Sequence, residues 1–112
     1  MKKNDAILAD EIQKNYLSNL KDAVLSSYKQ VFKIFCICNF GDRAFIYIFY
    51  KTNRDLIENS KNNVSTQIYN YINHYLEDSG YLNKFGSGIL IEFDSDENVK
   101  KNYKGNYYYR LL

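Results

Sequence analysis

The sequence has few of the residues from which metal and redox sites are built. It contains two cysteines and one histidine, and it has neither proline nor tryptophan. A structural zinc site takes four Cys or His ligands, so no zinc site is expected. Cys36 and Cys38 lie two residues apart on a predicted strand and point the same way, which disfavours a disulfide between them. We expect two reduced, buried thiols in a cytoplasmic protein.

Long hydrophobic runs are missing as well. Lys33, Asp42 and Arg43 interrupt the longest apolar region, so the sequence predicts no membrane span and no membrane partner. Lys2 and Lys3 are followed by charged residues in a helical pattern and not by the apolar core of a signal peptide. The net charge of +2 is too small to indicate a nucleic-acid groove. With 112 residues, the chain is predicted to form one domain over residues 1–112.

Catalytic motifs are also absent from the sequence. Asp94-x-Asp96-x-Asn98 begins like a calcium-binding loop, but Val99 and Gly105 stand where that loop needs glycine and glutamate. No serine or threonine lies in a nucleophile elbow, and no glycine-rich loop precedes a predicted helix. We therefore predict no catalytic residue, no cofactor, no bound metal and no enzymatic activity.

Aromatic and β-branched residues are abundant, with twelve tyrosines and seven phenylalanines in the chain. They are concentrated between Val31 and Thr52, where two apolar runs flank a short connection that contains Gly41. This pattern predicts a β-hairpin in which 32–38 pairs antiparallel with 45–50. Both faces of the second strand are apolar, as in a strand from the middle of a sheet.

The remaining elements follow from periodicity and capping residues. An apolar stripe from Leu8 to Val24 predicts a first helix, and a stripe from Val64 to Leu76 predicts a second, which Gly80 ends. The start of the second helix is left open, and its polar stretch 58–63 could instead be a loop. Ile89–Phe93 is a predicted strand, Ser95 or Asp96 caps one helical turn, and 107–112 is a predicted fourth strand. The predicted fold is α+β in the order α-β-β-α-β-β, with a four-stranded, mainly antiparallel sheet and helices packed on one face.

Two kinds of residue are candidates for binding a partner. The acidic run Glu92, Asp94, Asp96 and Glu97 lies at the end of the predicted strand 89–93. It could contact a basic partner, or it could be a solvated strand end with a helix cap. Tyrosines on the predicted strands would expose hydroxyls along one sheet face or edge, although AT-rich codon usage also explains many tyrosines. The predicted partner-binding residues are Tyr47, Tyr50, Glu92, Asp94, Asp96, Glu97, Tyr107 and Tyr109.

The segments AFIYIFYKT (44–52) and GNYYYR (105–110) give the chain Tyr-rich strands within a small α+β format. In this format the chain resembles the small cytoplasmic immunity proteins of bacterial polymorphic or contact-dependent toxin systems. The resemblance implies a binding protein that neutralises one cognate toxin domain, often a nuclease, by covering its active site or substrate surface. It transfers no functional residue, because no motif of such a family is matched.

Two other functions are compatible with the sequence. One is an inhibitor, encoded by a phage, of a host defence complex. The other is a nucleic-acid-binding module, which we rank below protein binding because the common RNA-recognition sheet has a different strand order. In that module aromatic side chains would stack on bases and basic ones would meet phosphates: Phe32, Tyr47 and Phe49, and Lys33, Arg43 and Lys51, respectively.

Overall fold

The computed structural model of the protein describes residues 13–38, 44–81 and 89–111. A π-helical turn at Gln13–Leu17 is followed by α1 (Leu20–Ser27), β1 (Lys33–Ile37) and β2 (Ala44–Tyr50). The chain continues with α2 (Asn53–Lys61), α3 (Val64–Asp78) and β3 (Ile89–Ser95). Two short helices, α4 (Asp96–Asn102) and α5 (Tyr107–Leu111), complete it.

The described strands form one three-stranded sheet in the order β1-β2-β3. β1 and β2 pair antiparallel, with Ile34 opposite Ile48 and Phe35 opposite Tyr47, so the predicted hairpin pairing is confirmed. β3 runs parallel to β2, with Tyr50 opposite Ser95. The predicted four-stranded, mainly antiparallel sheet is therefore wrong. The described part of the connection between β2 and β3 contains α2 and α3, which is the kind of crossover that parallel strands need.

The predicted fourth strand is a helix. Lys104 and Gly105 both have positive φ and turn the chain. Asn106 then caps α5, since its side-chain oxygen accepts from the N–H of Tyr109 and its carbonyl accepts from the N–H of Arg110. The tyrosine-rich sequence has a high β propensity, but contacts with the sheet determine the conformation here.

Alternating residues give the sheet two distinct faces. The inner face packs against α1 and α3 to form the main core, in which Leu17, Leu20 and Val24 meet Ile46 and Ile48. α3 contributes the predicted stripe, of which Ile68, Ile72 and Leu76 are fully buried. The outer face consists of Lys33, Phe35, Ile37, Phe45, Tyr47, Phe49, Leu90, Glu92 and Asp94, and α5 packs against part of it. Helices thus lie on both faces, contrary to the prediction.

The helix boundaries differ in part from the predicted ones. The first predicted helix is interrupted at Ser18 and Asn19, while the part of it before Gln13 lies outside the described residues. The second begins at Asn53, so 58–61 are helical, and Asn63 with φ of 69° separates α2 from α3. Gly80 has φ of 86° just after α3, which confirms the predicted left-handed stop. Arg43 and the hairpin connection 39–43 also lie outside the described residues.

Candidate functional site

Tyr107 joins α5 to the outer face of the sheet. Its ring centre lies 4.8 Å from that of Phe49 and 5.3 Å from that of Phe35. The Nζ atom of Lys33 lies 4.7 Å from the centre of the same ring, within the range of a cation–π contact. These contacts, together with complete burial of Phe49, form a second apolar cluster on the side opposite the main core. α5 is therefore held in a fixed position although it has only five residues.

Two carboxylates fix α5 to the preceding segment. The Tyr107 hydroxyl donates to Asp96, and Arg110 Nε donates to Asp94 Oδ2. Asn98 Nδ2 also donates to Asp94 Oδ2, at 2.9 Å. The hydrogen bond from Tyr107 is the main reason why the pKa of Asp96 is lowered, whereas burial and the same bond raise the pKa of Tyr107. Asp94 and Asp96 thus stabilise the fold from within.

Glu97 also has a structural role, at the N-terminus of α2. β2 and β3 are parallel and end together, so α2 and α4 begin side by side at one edge of the sheet. Glu97 Oε1 accepts from the N–H of Asn53, the first residue of α2, at 3.0 Å, and this bond lowers the pKa of Glu97. Ser95 caps α4 by accepting from the N–H of Asn98, as predicted, and its hydroxyl donates to Asn53. Hydrogen bonds therefore connect the N-terminus of α2 to that of α4.

The structure places the four predicted partner-binding tyrosines in different environments. Tyr50 is fully buried, and its hydroxyl lies 2.7 Å from that of Ser65, so it cannot contact a partner in this fold. Tyr47 is half-buried on the outer face beside Phe45 and Glu92, and burial together with that carboxylate raises its pKa. Tyr107 is an internal anchor, whereas Tyr109 is 56% exposed.

The acidic candidates divide in the same way. Asp94 and Asp96 are engaged by Arg110 and Tyr107, and Glu97 caps α2, so these three do not form an open patch. Glu92 remains exposed on the outer face, opposite Tyr47. The strand-end and helix-cap interpretation of the acidic run therefore describes the structure better than the contact-patch interpretation.

Sequence reasoning missed the aromatic residue that is most exposed in the described part of the chain. Tyr108 is 83% exposed and lies beside Tyr109 on the solvent side of α5. The three-residue spacing from Tyr107 to Arg110, with Asn106 as cap, was the available signal that one side of a helix faces the sheet. Leu90 is also exposed, on the outer face of β3.

A groove of about 860 Å³ lies between α5 and β1. It is lined by Lys33, Phe35 and Ile37 of β1 and by residues 104–108 and Leu111. Smaller depressions of about 350 Å³ and 390 Å³ adjoin α2. We name the first feature the C-terminal groove. Together with the exposed side chains of Tyr108 and Tyr109, it forms the candidate binding surface.

The alternative set of nucleic-acid-binding residues does not form one surface. Phe49 is completely buried, so its ring cannot stack on a base. Tyr47 lies opposite Glu92, whose carboxylate would repel phosphates. Phe32 and Lys33 are exposed near the start of β1, and Lys51 follows the end of β2. Arg43 lies outside the described residues.

The groups with reactive chemistry are mostly engaged or buried. Burial raises the pKa of Cys36 to about 12, so its thiol is protonated at neutral pH. Among the residues in 13–38, 44–81 and 89–111, no three His, Cys, Asp or Glu side chains come together to hold a metal ion. In the same part of the chain, no helix combines the length and apolar character needed to cross a membrane.

No protein-family model, no curated protein and no solved structure matches the chain.

Proposed function

We propose that the protein is a non-enzymatic binding protein that neutralises a cognate toxin domain by forming a tight one-to-one complex in the cytoplasm. The proposal extends the resemblance to immunity proteins, and one structural observation carries it. Tyr108 and Tyr109 project from a helix whose inner side is fixed by Tyr107 and Arg110. The exposed aromatic pair thus stands on a rigid base beside the C-terminal groove.

This arrangement suits protein binding for energetic reasons. Tyrosine offers a large contact area with few rotatable bonds, so ordering it at an interface costs little entropy. A fixed helix reduces that cost further, because the backbone does not have to be ordered on binding. Glu92, exposed on the same face of the sheet, supplies a negative charge that can speed association with a basic region of the partner.

A growth assay tests the proposal. The C-terminal domain of the protein encoded immediately upstream in the native genome is expressed in bacteria, with and without this chain. We expect the domain alone to stop growth and co-expression to restore growth, with a 1:1 complex in size-exclusion chromatography. A domain that is not toxic, or toxicity that the chain leaves unchanged, would contradict the proposed function.

Matched variants test the surface. Tyr108→Ala with Tyr109→Ala should raise the dissociation rate by about 30-fold or more, because an anchoring tyrosine is worth about 2 kcal/mol. Tyr69→Ala is the control, since Tyr69 is 49% exposed but lies on α3. Glu92→Ala should instead slow association and reduce its salt dependence. Equal effects of the α5 and α3 variants would show that another surface binds the partner.

A further inference from the structure

The C-terminal groove has a one-sided charge. Among the described residues that line it, Lys33 and Lys104 are the only charged ones, and both are exposed. The rest of the lining is largely apolar or aromatic, with Phe35, Ile37 and Leu111 among its members. The acidic side chains nearest to α5, Asp94 and Asp96, are occupied by Arg110 and Tyr107. The groove therefore combines positive charge with apolar surface.

Both lysines occupy defined positions. Lys33 Nζ lies over the ring of Tyr107, which itself packs on Phe49. Lys104 has φ of 55° and stands in the turn between α4 and α5, where the N–H of Gly105 donates to the carbonyl of Val99 at 2.9 Å. The two lysines thus line the groove from different elements, Lys33 from β1 and Lys104 from the turn before α5.

Strand addition is blocked along part of the adjoining edge of β1. The side-chain amide of Gln13 donates to the carbonyl of Cys36 at 3.0 Å, and its oxygen accepts from the N–H of Cys38 at 3.1 Å. A neighbouring strand would use these two backbone groups. A strand that added to this part of β1 would have to displace the side chain of Gln13.

We propose that the C-terminal groove receives a segment of the partner protein in which a carboxylate is flanked by apolar or aromatic side chains. The inference rests on the proposed function and adds the chemistry of the segment that is bound. A volume of about 860 Å³ is within the range of sites that enclose a drug-sized ligand, enough for a few side chains. The carboxylate pairs with Lys33 or Lys104, while its apolar neighbours cover Phe35, Ile37 and Leu111.

Peptide probes test this inference directly. Three fluorescein-labelled hexapeptides each alternate an apolar residue, Phe or Leu, with one polar residue, which is Asp in the first, Asn in the second and Lys in the third. Fluorescence anisotropy measures the dissociation constant of each peptide for the full chain. We expect the Asp peptide to bind about 10-fold more tightly than the Asn peptide, and the Lys peptide to bind most weakly. When the Asp peptide is added, the amide chemical-shift changes in NMR spectra of the protein should fall on residues 33–37 and 104–111.

Variants separate charge from packing. Lys33→Gln with Lys104→Asn should abolish the preference for the Asp peptide, and asparagine tolerates the left-handed backbone at 104. Lys33→Arg keeps a cation on the Tyr107 ring and should retain the preference. Lys61→Gln removes one positive charge at the end of α2 and should change nothing. Equal affinities for the three peptides, or shifts confined to another surface, would overturn the inference.

Further outcomes distinguish this inference from the proposed function. A single-stranded DNA oligonucleotide that displaces the Asp peptide, with affinity falling steeply with salt, would replace the acidic segment by nucleic acid and overturn the inference. A toxin complex that is unaffected by the Lys33 and Lys104 variants would overturn it and leave the proposed function standing. Selective binding of the Asp peptide without neutralisation of the toxin would support the groove and reject the function.

Discussion

The bond between Tyr107 and Asp96 should contribute strongly to stability. Tyr107→Phe removes only the hydroxyl and keeps the ring against Phe35 and Phe49. It leaves Asp96, which is 5% exposed, without its hydrogen bond from Tyr107. Lys100 stays within 3.0 Å of Asp96, but its side chain is 70% exposed and compensates little. Because the lost bond is to a buried charge, we expect the free energy of unfolding to fall by about 2 kcal/mol.

Urea denaturation followed by circular dichroism measures the effect. With a slope of about 2 kcal/mol per molar urea, the loss lowers the unfolding midpoint by roughly 1 M. Tyr108→Phe is the control, since its hydroxyl is in water and its removal should cost less than about 0.5 kcal/mol. In a double-mutant cycle with Asp96→Ala, the coupling energy should be about 1.5–3 kcal/mol. A coupling energy below about 0.5 kcal/mol would refute the stabilising role assigned to the bond between Tyr107 and Asp96.

Four further outcomes follow from the described contacts. The pKa of Asp96 lies below its ordinary 3.8 in the folded protein, so the stabilisation by the ionised Asp96 is complete above pH 3.8 and disappears as the pH falls through the lowered pKa. The difference in free energy of unfolding between wild type and Asp96→Ala should therefore shrink below pH 3.8. Ser95→Ala should cost about 1 kcal/mol in urea denaturation, since it removes the cap of α4. Lys104→Gly should raise stability by about 0.5–1 kcal/mol by relieving a left-handed backbone. In a Cys38→Ala background, Cys36 should react with a thiol reagent at pH 8 at least about 10-fold more slowly in the native than in the urea-unfolded protein, because burial raises its pKa to about 12 and lowers its thiolate fraction.

Local patterns predicted the elements whose signals are local. The alternation around Ile34 and Ile48 specified the hairpin pairing, because a one-residue slip would turn apolar side chains to the wrong face. The four-residue spacing of Ile68, Ile72 and Leu76 specified the buried side of α3. Ser95 as helix cap and Gly80 as helix stop depend on a few neighbouring residues, and both predictions are confirmed.

The direction of β3 was not determined by any local pattern. The sequence 89–95 is compatible with either orientation, since its alternation of side chains is the same in both. The long connection 51–88, which includes α2 and α3, was the signal that a crossover returns the chain to the end of the sheet where β2 begins and makes β3 parallel to β2. Which strand β3 joins depends on contacts between segments far apart in the chain.

The conformation of the C-terminal segment was likewise decided by tertiary contacts. Tyrosine has a high β propensity, so YYYRLL by itself favours a strand. Helical spacing instead places Tyr107 on Phe49 and Arg110 on Asp94, and these contacts outweigh a propensity that amounts to only about 1 kcal/mol across its whole scale.

Residue types alone show which positions carry aromatic or charged side chains, but not which of these side chains are available to a partner. Tyr50, Tyr107 and Tyr109 are chemically identical, yet the first is in the core, the second anchors α5 and the third is exposed. Asp94 and Asp96 meet partners that lie 16 and 11 residues further along the chain. Exposure and ion pairing depend on which residues lie close together in the folded protein. Only the tertiary structure therefore shows that Asp94, Asp96 and Glu97 are bonded within the protein, and that a basic, apolar groove lies beside α5.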